Sequence, residues 1–324
     1  MLLIIIVVLG AVLGFTYGSY TDGFIFSSDI CLFAGITLIM PSLFKFEFRH
    51  IKLVWQYKML LLKGFGVNYL LLPIFAVAIG LMTGNFGVTA GLFLISVFSG
   101  GGMVMHWIKK SQGDTSLGFL LLFINLIFVS VSLWMLHMFA TYSAGYFGVS
   151  YDTSISIDRF ASAVIELLIV IPFLLSRVVI WIKPLVDFIE NYRRYISHIS
   201  IFIIIFYLFG LQNTKLLVDV YDFEPELFPV SLAAVAAFYF LTLVASMFIY
   251  DLKSAQERAA FWHSVSRYLT LALVISTFSV TTFGVSMLLP IMSAYLVQIP
   301  LSVIISKKYM DEAPQSSQGS AAAM

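Results

Sequence analysis

The chain has 324 residues, 60% hydrophobic and 11% charged, with a net charge of +1 and a mean hydropathy of +0.99. A soluble domain of this length needs a polar outer shell that such a composition cannot supply, whereas a bilayer removes the need. The near-zero charge excludes a basic field for nucleic acid, and the single cysteine, Cys31, excludes a disulfide framework or a metal site of several thiolates.

Apolar runs of about twenty residues, the length a helix needs to cross a bilayer, recur along the chain. The first, residues 2–17, has no basic stretch ahead of it and no cleavage motif, so it reads as a retained span and not a signal peptide. Residues 28–44, 59–82, 88–108 and 117–139 complete a first set of five, and residues 160–182, 196–211, 228–250, 255–284 and 286–305 form a second. On hydropathy alone the ninth span can also begin at Tyr268, beyond Arg267. Trp107, Trp134, Trp181, Tyr20, Tyr250 and Tyr309 fall near span ends, where an aromatic belt is expected. The predicted fold is an all-α integral membrane protein of ten transmembrane helices. It forms one transmembrane domain over residues 1–310, followed by a disordered tail over 311–324.

Loop charges give an orientation. Lys45, Arg49, Lys52 and Lys58 follow the second span, Lys109 and Lys110 the fourth, and Lys183, Arg193 and Arg194 the sixth. Lys253 and Arg258 follow the eighth, and Lys307 and Lys308 the tenth. The opposite loops carry Asp22, Asp29, Asp152, Asp219, Asp222, Glu224 and Glu226, with Lys215 the main exception. The positive-inside rule then puts both termini in the cytoplasm of a multi-pass cell-membrane protein. An odd number of spans per half inverts the second half relative to the first. Two inverted repeats of five helices, about residues 1–140 and 158–306, are therefore expected, with a site where they meet.

The stretch Ser99-Gly100-Gly101-Gly102-Met103 carries the strongest local signal. Consecutive glycines are poor helix formers, and backbone freed inside a membrane is tolerated only beside a protein-lined cavity. A half-helix starting at Gly102 or Met103 would aim its N-terminal dipole at an anion or polar oxygen. Close helix packing through small residues is the competing reading. Asn68, ahead of Pro73, and Asn125 either ligate an ion or solute or bond a neighbouring helix. Ionisable groups within spans are few: Lys63, Glu166, Arg177, His106, His137 and Arg267. Lys63 and Arg177 sit where they can snorkel to an interface, and His106 lies near one.

Asn68-Tyr69-Leu70-Leu71-Leu72-Pro73 resembles the third-span Asn-Trp…Pro pattern of the arsenical-resistance transporters, a branch of the bile acid:sodium symporter superfamily. Met103-Val104, Trp107 and Gly113-Asp114 resemble their fourth span and the loop after it, and Leu296-Val297-Gln298-Ile299-Pro300 resembles their last-span Leu-Val-Glu-Val-Pro. The resemblance implies panel and core domains, with broken fourth and ninth spans crossing at the midplane. It places the second break near Ser266 to Thr270, with Arg267 at the crossing. The departures matter as much. The family's arsenite-linked cysteine falls on Gly100, its ninth-span glutamate on Thr270 and its last-span glutamate on Gln298. The fourth-span asparagine that ligates sodium in the bile-acid branch falls on Met105. Neither thiolate capture nor the usual sodium sites carry over.

The expected function is secondary active transport of a small anion, polar solute or metalloid oxyanion by alternating access. Arg267 would provide a fixed positive charge, and protons are favoured over sodium as the coupling ion. The candidate binding residues are Asn68, Ser99, Gly100, Gly101, Gly102, Met103, Trp107, Asn125, Arg267, Thr270 and Gln298, with no catalytic residue, resident metal or cofactor. No ATP-binding loop of the Walker type is present. One alternative is an intramembrane serine enzyme built on Ser99 with His137 or His198, although Val97 and Phe98 stand where that motif wants a glycine and a small residue. Another is a family member that senses or scaffolds without transporting.

Overall fold

The computed structural model describes residues 2–25, 29–44, 53–101, 103–151, 166, 170–211, 226–279 and 283–312. Among them every regular element is helical, and extended residues meet only as isolated β-bridges. In hydrocarbon this is the expected economy, because a helix satisfies its own backbone N–H and C=O groups.

Helix α1 (Leu2–Tyr20) contains no charged residue and packs along α9 (Lys183–Phe209). Glycine sets the separation: a Cβ on Gly14 would stand 2.3 Å from the Phe206 carbonyl oxygen, and Gly10 and Gly18, one turn either side, also face α9. This is small-residue packing of the kind that holds helices together in lipid. Helix α2 (residues 29–43) contains a π-helical turn, Gly35–Ile39, and packs on α8 (Ile171–Val179). Arg177 of α8 donates to the Leu43 carbonyl and lies 5.4 Å from the Phe173 ring centre.

The second group of helices starts with α3 (residues 58–83). Pro73 cannot donate to the carbonyl four residues back, and just before it the helix widens into the π-helical turn Val67–Leu71. Asn85 caps α4 (Phe86–Val97), accepting from the Val88 N–H at 3.0 Å. Every residue of α4 is buried. After a break comes α5 (Val104–Lys110), then α6 (Thr115–Ile127), capped by Asp114, and α7 (Val129–Ser143), bent from α6 by 49°. Later in the chain come α10 (Leu227–Ile249), α11 (Ala255–Val265), α12 (Leu269–Phe278) and α13 (Leu288–Glu312). Helices α3, α4, α10 and α13 pack on one another, while α11 lies against α3, α5, α6 and α10.

Three described helices, Lys58–Thr83, Leu227–Ile249 and Leu288–Lys308, are each long and apolar enough to cross a membrane. The bent α6–α7 pair makes a fourth candidate. Several expected boundaries move. The helix of the expected seventh span, α9, begins at Lys183, so the basic segment expected as a loop is helical and continuous with the span. The last helix runs to Glu312, two residues into the expected tail, and residues 313–324 lie outside the described residues. Residues 160–165 and 167–169 of the expected sixth span, residues 160–182, are also outside them. Trp107 and Tyr250 are buried at 1% and 3% exposure, so neither belongs to an aromatic belt, whereas Trp134, Trp181 and Tyr20 are exposed.

Candidate functional site

The expected breaks in the fourth and ninth spans are both present, and they are bonded to each other. Helix α4 ends at Val97, Phe98 is extended, Gly100 is left-handed at φ +63°, and helix resumes at Val104 with Met103 as its N-cap. Helix α11 ends at Val265, Ser266 is extended, and α12 starts at Leu269. Ser99 and Arg267 form an antiparallel bridge. The Gly100 N–H donates to the Ser266 carbonyl at 2.8 Å, and the Tyr268 N–H donates to the Phe98 carbonyl at 3.0 Å. Each break therefore satisfies backbone groups that the other has freed, which answers the accounting problem that an interrupted helix poses away from water.

Gly100 is required here twice over. Its backbone conformation disfavours a side chain, and a Cβ on it would stand 2.1 Å from His263 Nδ1. The imidazole of α11 fills the space beside Gly100 that a side chain there would need. His263 is held on both nitrogens: Nε2 lies 3.0 Å from the Gly118 carbonyl and Nδ1 lies 3.1 Å from Asn125 Nδ2. A carbonyl only accepts, so Nε2 carries the proton and Nδ1 accepts from the Asn125 amide. Asn125 is thereby assigned to positioning His263 behind the first break.

Arg267 lies in the second break at 1% exposure. Its Nε donates to the Ile95 carbonyl at 3.0 Å. One terminal nitrogen donates to Asn68 Oδ1 at 2.6 Å and to the Ser264 carbonyl at 2.9 Å, and the other donates to the Ser96 carbonyl. At least four of the five guanidinium N–H groups are thus held by protein oxygens. The backbone N–H of Arg267 donates to Gln298 Oε1 at 2.7 Å, Gln298 Nε2 donates to the Arg267 carbonyl at 3.3 Å, and the Tyr239 hydroxyl donates to Gln298 Oε1 at 2.6 Å. Gln298 of α13 therefore clamps both backbone groups of the residue at the centre of the break.

Beside the breaks is a cavity of about 30 Å³ whose lining includes Gly101, Met103, Ser266, Arg267, Tyr268 and Gln298. That is room for one or two water molecules. The Ser99 and Ser266 hydroxyls are buried without a hydrogen-bond partner among the described residues. Ser99 thus has no base in reach there, and His137 instead lies 3.0 Å from the Tyr151 hydroxyl.

Of the residues singled out from sequence, the fold gathers Asn68, Ser99, Gly100, Gly101, Met103, Arg267 and Gln298 around the joined breaks. Trp107 stacks on Trp262, with ring centres 5.8 Å apart, where it packs α5 against α11. Trp262 Nε1 donates to Ser111 Oγ at 2.7 Å. Thr270 lies in the first turn of α12, and Gly102 is outside the described residues. Glu166 and His106 are exposed. Lys63 does not simply snorkel: it pairs with Glu257 at 2.8 Å, joining α3 to α11 at an open cleft of about 660 Å³. Sequence reasoning missed His263, Tyr239 and the carbonyls of Ile95, Ser96 and Ser264. The only sequence signal for any of them was a histidine four residues before an arginine in an apolar run.

No curated protein matches the chain at a significant level. Residues 32–218, more than half of the chain, match the model of the Sodium Bile acid symporter family. The match spans the third-span motif and the whole first break, and the helical architecture with several apolar helices agrees with a membrane family. The chain therefore belongs to the sodium bile acid symporter family of integral membrane transporters.

Proposed function

We propose that the protein is a secondary active transporter that moves a small organic anion, polar solute or metalloid oxyanion by alternating access. One observation carries the reading: two interrupted helices exchange hydrogen bonds across their breaks, beside a buried cation and a cavity. Broken helices of this kind place loosened backbone at the binding site of many carriers. The buried charge of Arg267 pairs with no carboxylate among the described residues, which favours an anionic solute next to it.

The larger organisation follows from the same reading. Ten spans form two inverted repeats, about residues 1–140 and 158–306, with both termini in the cytoplasm. The group α1, α2, α8 and α9 acts as the panel, and the helices around the breaks act as the moving core. At about 30 Å³ the cavity is closed to any organic solute, so loading requires the two groups to shift. The cleft at Lys63 and Glu257 lies beside loops assigned to the cytoplasm and is large enough for a drug-sized solute, so it would form the inner vestibule.

The test is uptake into proteoliposomes of arsenite, antimonite, bile acids, keto acids and other organic anions, across pH and with sodium or choline outside. The expected result is saturable accumulation of one class of anion, driven by a proton gradient or by its own gradient. Failure to move any of these solutes, while a thermal-shift screen of the same purified protein finds none that binds, would sink the reading.

A further inference from the structure

We propose that the Arg267 guanidinium is a tethered cation that permanently fills a cation site built from two helix ends, so that no dissociable sodium binds there. The argument starts with the oxygens. Ile95 and Ser96 lie in the last turn of α4, and Ser264 lies in the last turn of α11. The carbonyls at a helix C-terminus have no partner within the helix and concentrate the negative end of its dipole. Here two such ends converge, and the Asn68 amide oxygen from α3 adds a fourth acceptor. Half-helix C-termini and loosened carbonyls are where carriers with interrupted helices hold a coupling cation.

In this chain the cation at that place is a side chain. The set contains no carboxylate, and Arg267 supplies a matching N–H for each of the four oxygens. Its own backbone is pinned by Gln298, so the charge cannot leave with a solute. A sodium ion entering the same oxygens would have to displace a covalently attached group and would meet its repulsion at close range. Conversely, shortening residue 267 leaves four oxygens facing an empty, buried space, which is a latent site for a small monovalent cation or for guanidinium itself.

The experiment reads cation binding first, so it does not depend on knowing the solute. Purified full-length protein is melted in sodium chloride or choline chloride, and with added guanidinium up to about 100 mM. Wild-type protein is expected to melt at the same temperature in sodium and in choline, and to bind no radiolabelled sodium saturably. Arg267→Ala is expected to melt lower and to regain about 5 °C with saturating guanidinium or sodium. Arg267→Lys, which keeps a charge on the chain, is expected to ignore both. Saturable sodium binding by wild type overturns the proposal, as does an Arg267→Ala protein that responds to no cation. If Arg267→Ala does not accumulate, the wild-type binding measurement decides alone. The transport arm rests on the carrier reading above, and there uptake should be equal in sodium and choline. Absence of all uptake would sink that reading and leave the binding result standing.

Discussion

Along α1 and α9 the chain approaches itself through missing side chains, whereas at the two breaks it does so through exchanged hydrogen bonds. Gly10, Gly14 and Gly18 let two intact helices meet with the Phe206 carbonyl almost touching Gly14, and each helix keeps its own backbone satisfied. At the breaks Phe98, Gly100, Ser266 and Tyr268 give up helical partners and satisfy one another instead. The first arrangement rests on van der Waals fit along the stripe, with the Phe24 N–H donating to the Gly210 carbonyl just past its end. The second is a set of directed contacts whose members lie far apart in sequence, and Arg267 and Gln298 lock it further. The difference also says where substitutions should hurt most.

The largest expected effect is at Gly100. Gly100→Ala forces a left-handed residue to carry a side chain and drives it into His263, at a cost of about 2–4 kcal/mol. Thermal melting of the detergent-purified variant measures it. His263→Ala in the same chain should return part of the loss, because the steric half of the penalty disappears. A Gly100→Ala protein as stable as wild type would mean that the break is looser than the α1–α9 contact, reversing the comparison.

Gly14→Ala comes next, at about 1–3 kcal/mol, since α1 and α9 must separate by more than an ångström or tilt. Unlike Gly100→Ala, it should have no partner substitution that restores it, because the clash is with backbone. Limited proteolysis and melting together distinguish a separated α1–α9 pair from damage around the breaks, and unchanged melting would show that the two helices already move apart without penalty.

Lys63→Met should give the smallest change, below about 1 kcal/mol, because the Lys63–Glu257 pair is part-exposed, at 34% and 26%. High salt should erase the difference between variant and wild type in the same melting assay. A loss as large as that at Gly100 would promote this contact from the rim of the cleft to part of the core.

Much of this was legible before the structure. Composition decided the solvent, since no folded soluble chain can hide 60% hydrophobic residues. Glycine chemistry decided the first interruption, because consecutive glycines weaken a helix whatever surrounds them. The Gly10, Gly14, Gly18 stripe, spaced by four, was equally available in the sequence and went unread. Local pattern misled at Trp107, where a position near a span end suggested an interface and packing against Trp262 buried it instead. It misled at Lys183 too, where charge suggested a loop and a helix begins instead.

By itself the sequence determined that the chain is a helical membrane protein and that its fourth apolar run is interrupted at the glycines; Arg267 beside a second break was implied only by the family resemblance, since hydropathy favoured a span beginning at Tyr268. The first two are properties of short windows, in which burial and backbone freedom depend on neighbouring residues. Only the tertiary structure decided what that arginine does. Asn68 lies 199 positions from Arg267, and Ile95 lies 172. Contacts of that reach have no periodicity to announce them. They exist because two broken helices are packed so that the Ile95 and Ser96 carbonyls freed at the end of one meet the cation carried by the other.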